Sequence, residues 1–253
     1  MIPNIFHFIF GLEETFAEKP FSIAHYLAIK SAVDINKPKK VFFYYQFEPS
    51  GYWWEKAKKL VELNQISPPK KIFGKNLIHY AHKSDILRLL ILEEFGGIYL
   101  DIDTICIKPF DNLLNYKCVM GQESYLNHIQ GLCNAVILAE PKSLFINHWI
   151  ESYADFRSLG RDSFWNEHSV IVPYFISKKF PDLIHVLNNN AFFYPSYGRF
   201  DLDLLFKKCE VFPDAYLFHL WETVSYEKYI KNLSKKDIIK IDTSYNVIAR
   251  RFF

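Results

Sequence analysis

The chain has 253 residues and a net charge of +2, its 30 Lys and Arg nearly balancing 28 Asp and Glu. That length suits one full-sized domain, and no basic block is long enough to imply a nucleic-acid partner. Half of the residues are hydrophobic and 18% are aromatic, enough for a substantial core with ring surface left for flat, ring-shaped ligands.

The opening MIPNIFHFIFGLEE lacks a basic n-region and a small-residue cleavage site, so no signal peptide is expected there. IPNIFHFIF (Ile2–Phe10) reads as a first buried strand, ended by Gly11. A helix follows in FSIAHYLAIKSAVDIN, with Ile23, Leu27, Ala28 and Val33 on one stripe and Pro38 as its breaker. KVFFYYQFEP (Lys40–Pro49) is the second strand, and GYWWEKAKKLVEL the second helix. Pro68-Pro69 then breaks the chain before an edge-like KIF at Lys71–Phe73.

HKSDILRLLILEEF (His82–Phe95) is helical, with Ser84 as N-cap and Gly96-Gly97 as its end. IYLDID (Ile98–Asp103) is a strand, and CVMGQES and NAVILAEP are two more. Strands alternating with helices over the first ~150 residues predict an α/β sheet with helices on both faces. The remainder is less regular: WNEHSVIVPYFISKKF turns helical, AFFYPSYGRF and AYLFHLWETVSY are loops or short strands, and the tail VIARRFF is a final strand. Four cysteines, Cys106, Cys118, Cys133 and Cys209, show neither CxxC pairing nor zinc-ligand spacing and read as reduced core thiols. No apolar run reaches the ~18 residues that cross a bilayer, so a cytoplasmic location is expected, with at most peripheral contact at the inner face of a membrane.

The chemistry concentrates at the end of the IYLDID strand. Residues i and i+2 of a strand face the same way, so Asp101 and Asp103 are expected to present two carboxylates together. Such a pair needs a cation: a basic side chain, or a hard divalent metal that oxygen ligands suit. Asp85 and Arg88 are i,i+3 neighbours on the preceding helix. They bring a further carboxylate and a guanidinium to the end of the sheet where open α/β folds bind ligands. A metal with a nearby arginine suits a diphosphate.

The block SDILRLLILEEFGGIYLDIDTICIKPFDNLL resembles the core signature of the DXD-containing sugar transferases of glycosyltransferase family 32. That family includes outer-chain mannosyltransferases, α-1,4-galactosyltransferases and bacterial capsule and lipopolysaccharide enzymes. The catalytic domains of clostridial glucosylating toxins carry a similar block. IPNIFHFIFG, NAVILAEP and HLWE stand in the family's order, so the resemblance runs from Ile2 to about Trp221. It implies one GT-A-like, Rossmann-like domain over residues 1–253, a mixed central sheet with a less regular C-terminal part. Residues 1–115 would form the nucleotide-sugar-binding half, and 116–253 the acceptor-side half with a C-terminal closing segment.

By the same resemblance Asp103 holds Mn²⁺ or Mg²⁺ on the donor diphosphate, and Asp101 contacts ribose and sugar hydroxyls or reaches the metal through water. Asp85 hydrogen-bonds the donor sugar, and Arg88 the sugar and diphosphate. Phe10 takes the place of a base-stacking Trp. His219 completes the metal shell, where an imidazole favours Mn²⁺, with Glu222 and Ser225 as alternatives. Trp221 closes over the nucleotide or belongs to the core. Asn134 lies close to the reacting sugar or caps a strand, and Glu167 and His168 are acceptor-side candidates. The implied activity is transfer of a hexose, with retention, from a nucleotide sugar (UDP-hexose before GDP-mannose) to a glycan, glycolipid or protein hydroxyl in polysaccharide biosynthesis. Two rivals stay open on sequence. One is a haloacid-dehalogenase-type phosphohydrolase with Asp101 as nucleophile and Asp103 as general acid, although Ile105 stands where that motif has Thr or Val. The other is a non-catalytic carbohydrate-binding protein.

Overall fold

The computed structural model describes residues 1–16, 19–126 and 128–253. Eleven strands are formed among them: β1 (Ile5–Ile9), β2 (Lys40–Tyr45), β3 (Glu62–Gln65), β4 (Lys71–Ile72), β5 (Lys75–Asn76), β6 (Gly97–Leu100), β7 (Thr104–Cys106), β8 (Cys118–Tyr125), β9 (His128–Ala139), β10 (His185–Leu187) and β11 (Leu217–His219). The α-helices are α1 (Ile23–Asn36), α2 (Tyr52–Ala57), α3 (Tyr80–Phe95), α4 (Leu144–Ser152), α5 (Val172–Lys179), α6 (Arg199–Phe206), α7 (Glu222–Ser225), α8 (Lys235–Lys240) and α9 (Ser244–Ala249).

Seven strands make one sheet in the order β10-β8-β9-β6-β1-β2-β3. β6, β1, β2 and β3 run parallel, whereas β9 is antiparallel to both of its neighbours, β6 and β8. The sheet is therefore mixed. Its central strands are buried on both faces, which is why β1, β6 and β9 read as near-continuous apolar runs. Successive residues divide between two cores. Phe6, Phe8, Leu100, Val136 and Leu138 pack with Ala28 and Ile29 of α1 and Trp54 of α2. Ile9, Tyr99, Ile137 and Ala139 pack with Leu89 and Leu92 of α3 and Phe145 and Trp149 of α4. A third cluster joins the outer face of α1 to β7, β11 and the C-terminal helices through Leu27, Ile105, Phe218 and Tyr245.

Several local expectations are corrected. The second helix stops at Ala57, and Glu62–Gln65 leaves it to become an edge strand beside β2. The tail is helical because Thr243 caps α9, its hydroxyl accepting from the Asn246 N–H at 3.0 Å; Phe252 is buried beneath it. Cys106, Cys118 and Cys133 are buried free thiols, but Cys209 is exposed. Among the described residues no helix is long and apolar enough to cross a membrane.

Candidate active site

The glycine pair fixes how α3 meets the sheet. Gly96 and Gly97 have φ of +62° and +110°. A Cβ on Gly97 would lie 2.6 Å from the Ile5 carbonyl oxygen and 2.8 Å from His7 Nε2, so glycine is needed for close approach as well as for conformation. β6 then ends at Leu100, and the chain turns through Asp101–Asp103 into β7. The Asp101 N–H donates to the Ala135 carbonyl at 2.8 Å, and the Thr104 hydroxyl donates to the Asp101 carbonyl at 2.9 Å. Asp101 and Asp103 are thus turn residues, not same-face neighbours on a strand as expected. They converge because β7 leaves the main sheet to pair with β11, Thr104 opposite His219, a long-range pairing that no local pattern encodes.

The two carboxylates face different partners. Asp101 Oδ1 accepts from Arg88 Nη1 at 3.0 Å and from the Tyr99 hydroxyl at 2.6 Å. Arg88 also donates to the Asn134 carbonyl at 2.8 Å, to Ser84 Oγ at 3.0 Å and to the Ser84 carbonyl at 3.2 Å. Ser84 is therefore not the N-cap. That place belongs to His79, and Ser84 sits within α3, where it holds the guanidinium. Asp85 Oδ1 accepts from Asn134 Nδ2 at 2.7 Å and lies 3.3 Å from Arg88 Nη2, while its Oδ2 lies 3.4 Å from His82 Nδ1. Asp85, Arg88, Asp101 and Asn134 are brought into one network.

Asp103 points the other way. Its Oδ1 lies 3.2 Å from His219 Nε2, its Oδ2 accepts from the Glu222 N–H at 2.7 Å, and its carbonyl accepts from the Leu220 N–H at 2.7 Å. Burial by itself would raise the Asp103 pKa. The His219 ring and the Glu222 N–H outweigh it and hold the carboxyl well below the usual carboxylate range. His219 moves up in turn, burial being overcome by Asp103 and Asp101.

Ligand atoms of Asp101, Asp103 and His219 all lie within 4.8 Å of one another, and His219 Nδ1 is buried without a hydrogen-bond partner among the described residues. Two hard carboxylates and an imidazole fit a divalent cation of the Mn²⁺ or Mg²⁺ kind. Glu222 is engaged elsewhere: its Oε1 accepts from His25 Nε2 at 2.9 Å. The Ser225 hydroxyl is buried and has no partner among the described residues.

These groups open onto a cavity of about 580 Å³, lined among others by Phe10, Arg88, Asp101, Asp103, Asn134, His219 and Trp221. It crosses the sheet end from β1 through β6 and β9 to β8. Residues 69–246 match the family model described as "Capsular polysaccharide synthesis protein". Residues 15–120 match "Glycosyltransferase sugar-binding region containing DXD motif". Glucan organizing enzyme 1 of Cryptococcus neoformans var. grubii is 35% identical over an alignment that covers 100% of this chain and 71% of that protein. The chain belongs to the DXD-containing glycosyltransferases.

Toxin Afp18 of Yersinia ruckeri is 41% identical over 93 residues, 37% of this chain and 4% of the toxin. Two solved glycosyltransferases share the fold. Mouse xyloside xylosyltransferase 1 has a TM-score of 0.51 at 14% identity, covering 88% of this chain and 99% of that one. GlyE of Streptococcus pneumoniae TIGR4 has a TM-score of 0.52 at 13% identity, covering 99% and 60%. The architecture is that of GT-A glycosyltransferases, and the phosphohydrolase rival is set aside.

Other expected residues of this glycosyltransferase lie as follows. Phe10 reaches the cavity but stacks on Phe16, ring centroids 5.6 Å apart. The Trp221 indole is anchored, Nε1 donating to the Pro195 carbonyl at 2.9 Å with the His219 ring 4.3 Å away. Asp85, only 7% exposed, stays behind the cavity wall. Glu167 pairs with Arg157 at 2.5 Å and His168 is buried against the Ser152 carbonyl; neither lines the cavity, although Asn166, Ser169 and Val170 do. The sequence reading missed Lys19, Arg161, Tyr99 and Glu123, all on the cavity wall. Tyr99 alone carried a local signal, standing two residues before Asp101 in the strand that delivers it.

Proposed function

We propose that this glycosyltransferase is metal-dependent and transfers a hexose, with retention, from a nucleotide sugar, UDP-hexose first, to a glycan, glycolipid or protein hydroxyl. The observation that carries this reading is the cluster of Asp101, Asp103 and His219 on the cavity wall, with Arg88 bound to Asp101 at 3.0 Å. Asp103 and His219 would hold Mn²⁺ or Mg²⁺, joined by Asp101 directly or through water. When bound, that ion supplies positive charge to the leaving diphosphate.

The chain's own groups account for the rest. Arg88 holds Asp101 and adds fixed positive charge beside the diphosphate, where a buried, preorganised donor counts for most. Lys19 and Arg161, also on the wall, offer further cations. The Phe10–Phe16 pair gives an aromatic platform for the base at the β1 end. Asn134 sits between Arg88 and Asp85 and fixes both. Both carboxylates of the DxD turn are already engaged, Asp101 by Arg88 and Tyr99 and Asp103 by His219 and the Glu222 N–H, which supports a front-face route. In that route the acceptor oxygen bonds to the anomeric carbon as the bond to the diphosphate breaks, and the acceptor proton passes to a diphosphate oxygen.

The division of residues 1–253 into a nucleotide-sugar-binding half (1–115) and an acceptor-side half (116–253) is part of this reading. The first carries Phe10, Arg88 and the DxD turn; strands β8 and β9 and the C-terminal closing segment of the second complete the donor site with Glu123, Asn134, His219 and Trp221. Three buried free thiols fit a reducing, cytoplasmic compartment.

The direct test is Asp103→Asn. The wild type should be raised in melting temperature by Mn²⁺ with UDP, whereas the variant should stay folded, lose sugar transfer and show no such rise. Full transfer by Asp103→Asn would sink the assignment. A wild type that binds UDP-sugars without transferring or hydrolysing them would favour the non-catalytic reading.

A further inference from the structure

Every other carboxylate at the DxD end of the cavity already has a partner. Asp101 is taken by Arg88 and Tyr99, Asp103 by His219 and the Glu222 N–H, and Glu222 by His25. Asp85 lies behind the wall, held by Asn134, Arg88 and His82. Glu123 differs. It is 7% exposed, lines the cavity, and has no salt bridge among the described residues. Its neighbour is the thiol of Cys133; burial pushes its pKa up, with the thiol and His219 pulling back.

The backbone holds Glu123 deliberately. β8 pairs Gln122 with Leu132 and Glu123 with Gly131, and the register shifts on either side, between Met120 and Gln122 and between Glu123 and Ser124. Such bulges re-aim side chains near sites. Opposite, Gly131 leaves room for the Val170 carbonyl, which a Cβ there would meet at 2.2 Å. A buried carboxylate with only a thiol beside it and no ion pair among the described residues is costly, and its place on the cavity wall leaves it open to a ligand.

Strand order says which ligand. Phe10 follows β1, Asp101 follows β6, Asn134 is on β9 and Glu123 on β8, and these strands are consecutive in the sheet. Three steps of roughly 4.8 Å separate the first from the last, a span of nucleotide-sugar size. With the base at β1 and the diphosphate at the β6 turn, the sugar reaches β9 and β8. We propose that Glu123 is the carboxylate that accepts a hydroxyl of the donor hexose and so helps to set which hexose is transferred. This rests on the nucleotide-sugar reading of the cavity.

The test measures affinities of UDP, UDP-glucose, UDP-galactose and UDP-N-acetylglucosamine with Mn²⁺ for the wild type and Glu123→Gln. The expected result is UDP affinity within about twofold of wild type, with the best UDP-hexose weakened about tenfold or more, the range for losing a hydrogen bond to a charged group. An unchanged preference for UDP-hexose over UDP in the variant overturns the proposal. Should Glu123→Gln not fold, deoxy analogues of that UDP-hexose on the wild type decide: removal of one ring hydroxyl must cost about tenfold, and no such position overturns it. Where Glu123→Gln does fold, that same deoxy analogue must bind both proteins equally, a coupling that a merely structural role would not produce. A wild type that binds neither UDP nor any UDP-sugar refutes the nucleotide-sugar reading itself, and this inference with it.

Discussion

His7 should make the fold acid-sensitive in a window set by its own burial. It is fully buried on β1, its Nε2–H donating to the Gly96 carbonyl at 2.9 Å and its Nδ1 accepting from the Tyr44 hydroxyl at 3.2 Å. A carbonyl can only accept, so Nε2 carries the proton of the neutral ring. Burial pulls its pKa from 6.5 down to about 4, the Gly96 hydrogen bond offsetting only part. Between those values the unfolded chain binds a proton that the folded chain refuses, so stability is full above pH 6.5 and is lost as pH falls toward 4. At 1.36 kcal/mol per pH unit the loss is about 3 kcal/mol. The assay is denaturant unfolding of the wild type and His7→Gln at pH 7, 6, 5 and 4. Glutamine cannot titrate, so the wild type's advantage over the variant should shrink by about 3 kcal/mol across the series. An advantage that stays constant with pH would refute the reasoning, because every other titrating group is common to both proteins.

Three further outcomes are expected. Arg88→Ala strands Asp85 and Asp101 without their cation and should cost about 3–5 kcal/mol in denaturant unfolding; a loss below about 1 kcal/mol would show that the network relaxes. Gly97→Ala should lower stability by about 3 kcal/mol, since backbone strain adds to contact with the Ile5 carbonyl and the His7 ring. Gly74→Ala, at φ +77° with open space around it, should cost only about 1 kcal/mol, and equal losses at the two glycines would remove the steric argument. Chelation of a metal-loaded wild type should lower its melting temperature, whereas Asp103→Asn should not respond.

Signals carried by many residues were legible in the sequence, and those carried by one distant contact were not. The α3–β6 block is a long helix, a double glycine and a fully buried strand, and each piece constrains the next. Arg88 therefore reaches Asp101 across the connection, as the spacing suggested. The turn at Asp101–Asp103 was invisible because it depends on β7 pairing with β11 more than a hundred residues later. Glu123 was missed although its partner strand follows at once, Glu123 pairing with Gly131, because the cavity it lines also needs His219 and Trp221 from far along the chain. The tail and the second helix failed more locally. Thr243 caps a helix that prevails over the β-prone VIARRFF, and the helical stripe of GYWWEKAKKLVEL runs past Ala57 into Glu62–Gln65, which edge pairing with β2 claims.

The two aspartates of the turn are held by separate halves of the molecule, and that division bears on how the site assembles. Asp101 belongs to α3 and β9, through Arg88 and the Asn134 carbonyl. Asp103 belongs to α1 and the C-terminal segment: His25, its Nδ1 occupied by the Ser22 N–H at 3.1 Å, must donate from Nε2 to Glu222, whose N–H in turn grips Asp103. The same segment carries His219 and Trp221, and Trp221 holds a left-handed φ of +54° there, a conformation costly for a bulky residue unless its surroundings enforce it. The third ligand of the proposed metal thus depends on a segment fastened by Asp103 itself. Loss of the His25–Glu222 bond should loosen His219 while leaving Asp101 and Arg88 in place. His25→Asn should therefore weaken the stabilisation by Mn²⁺ with UDP far more than it weakens the fold, and equal effects on both would mean that the two halves are one unit.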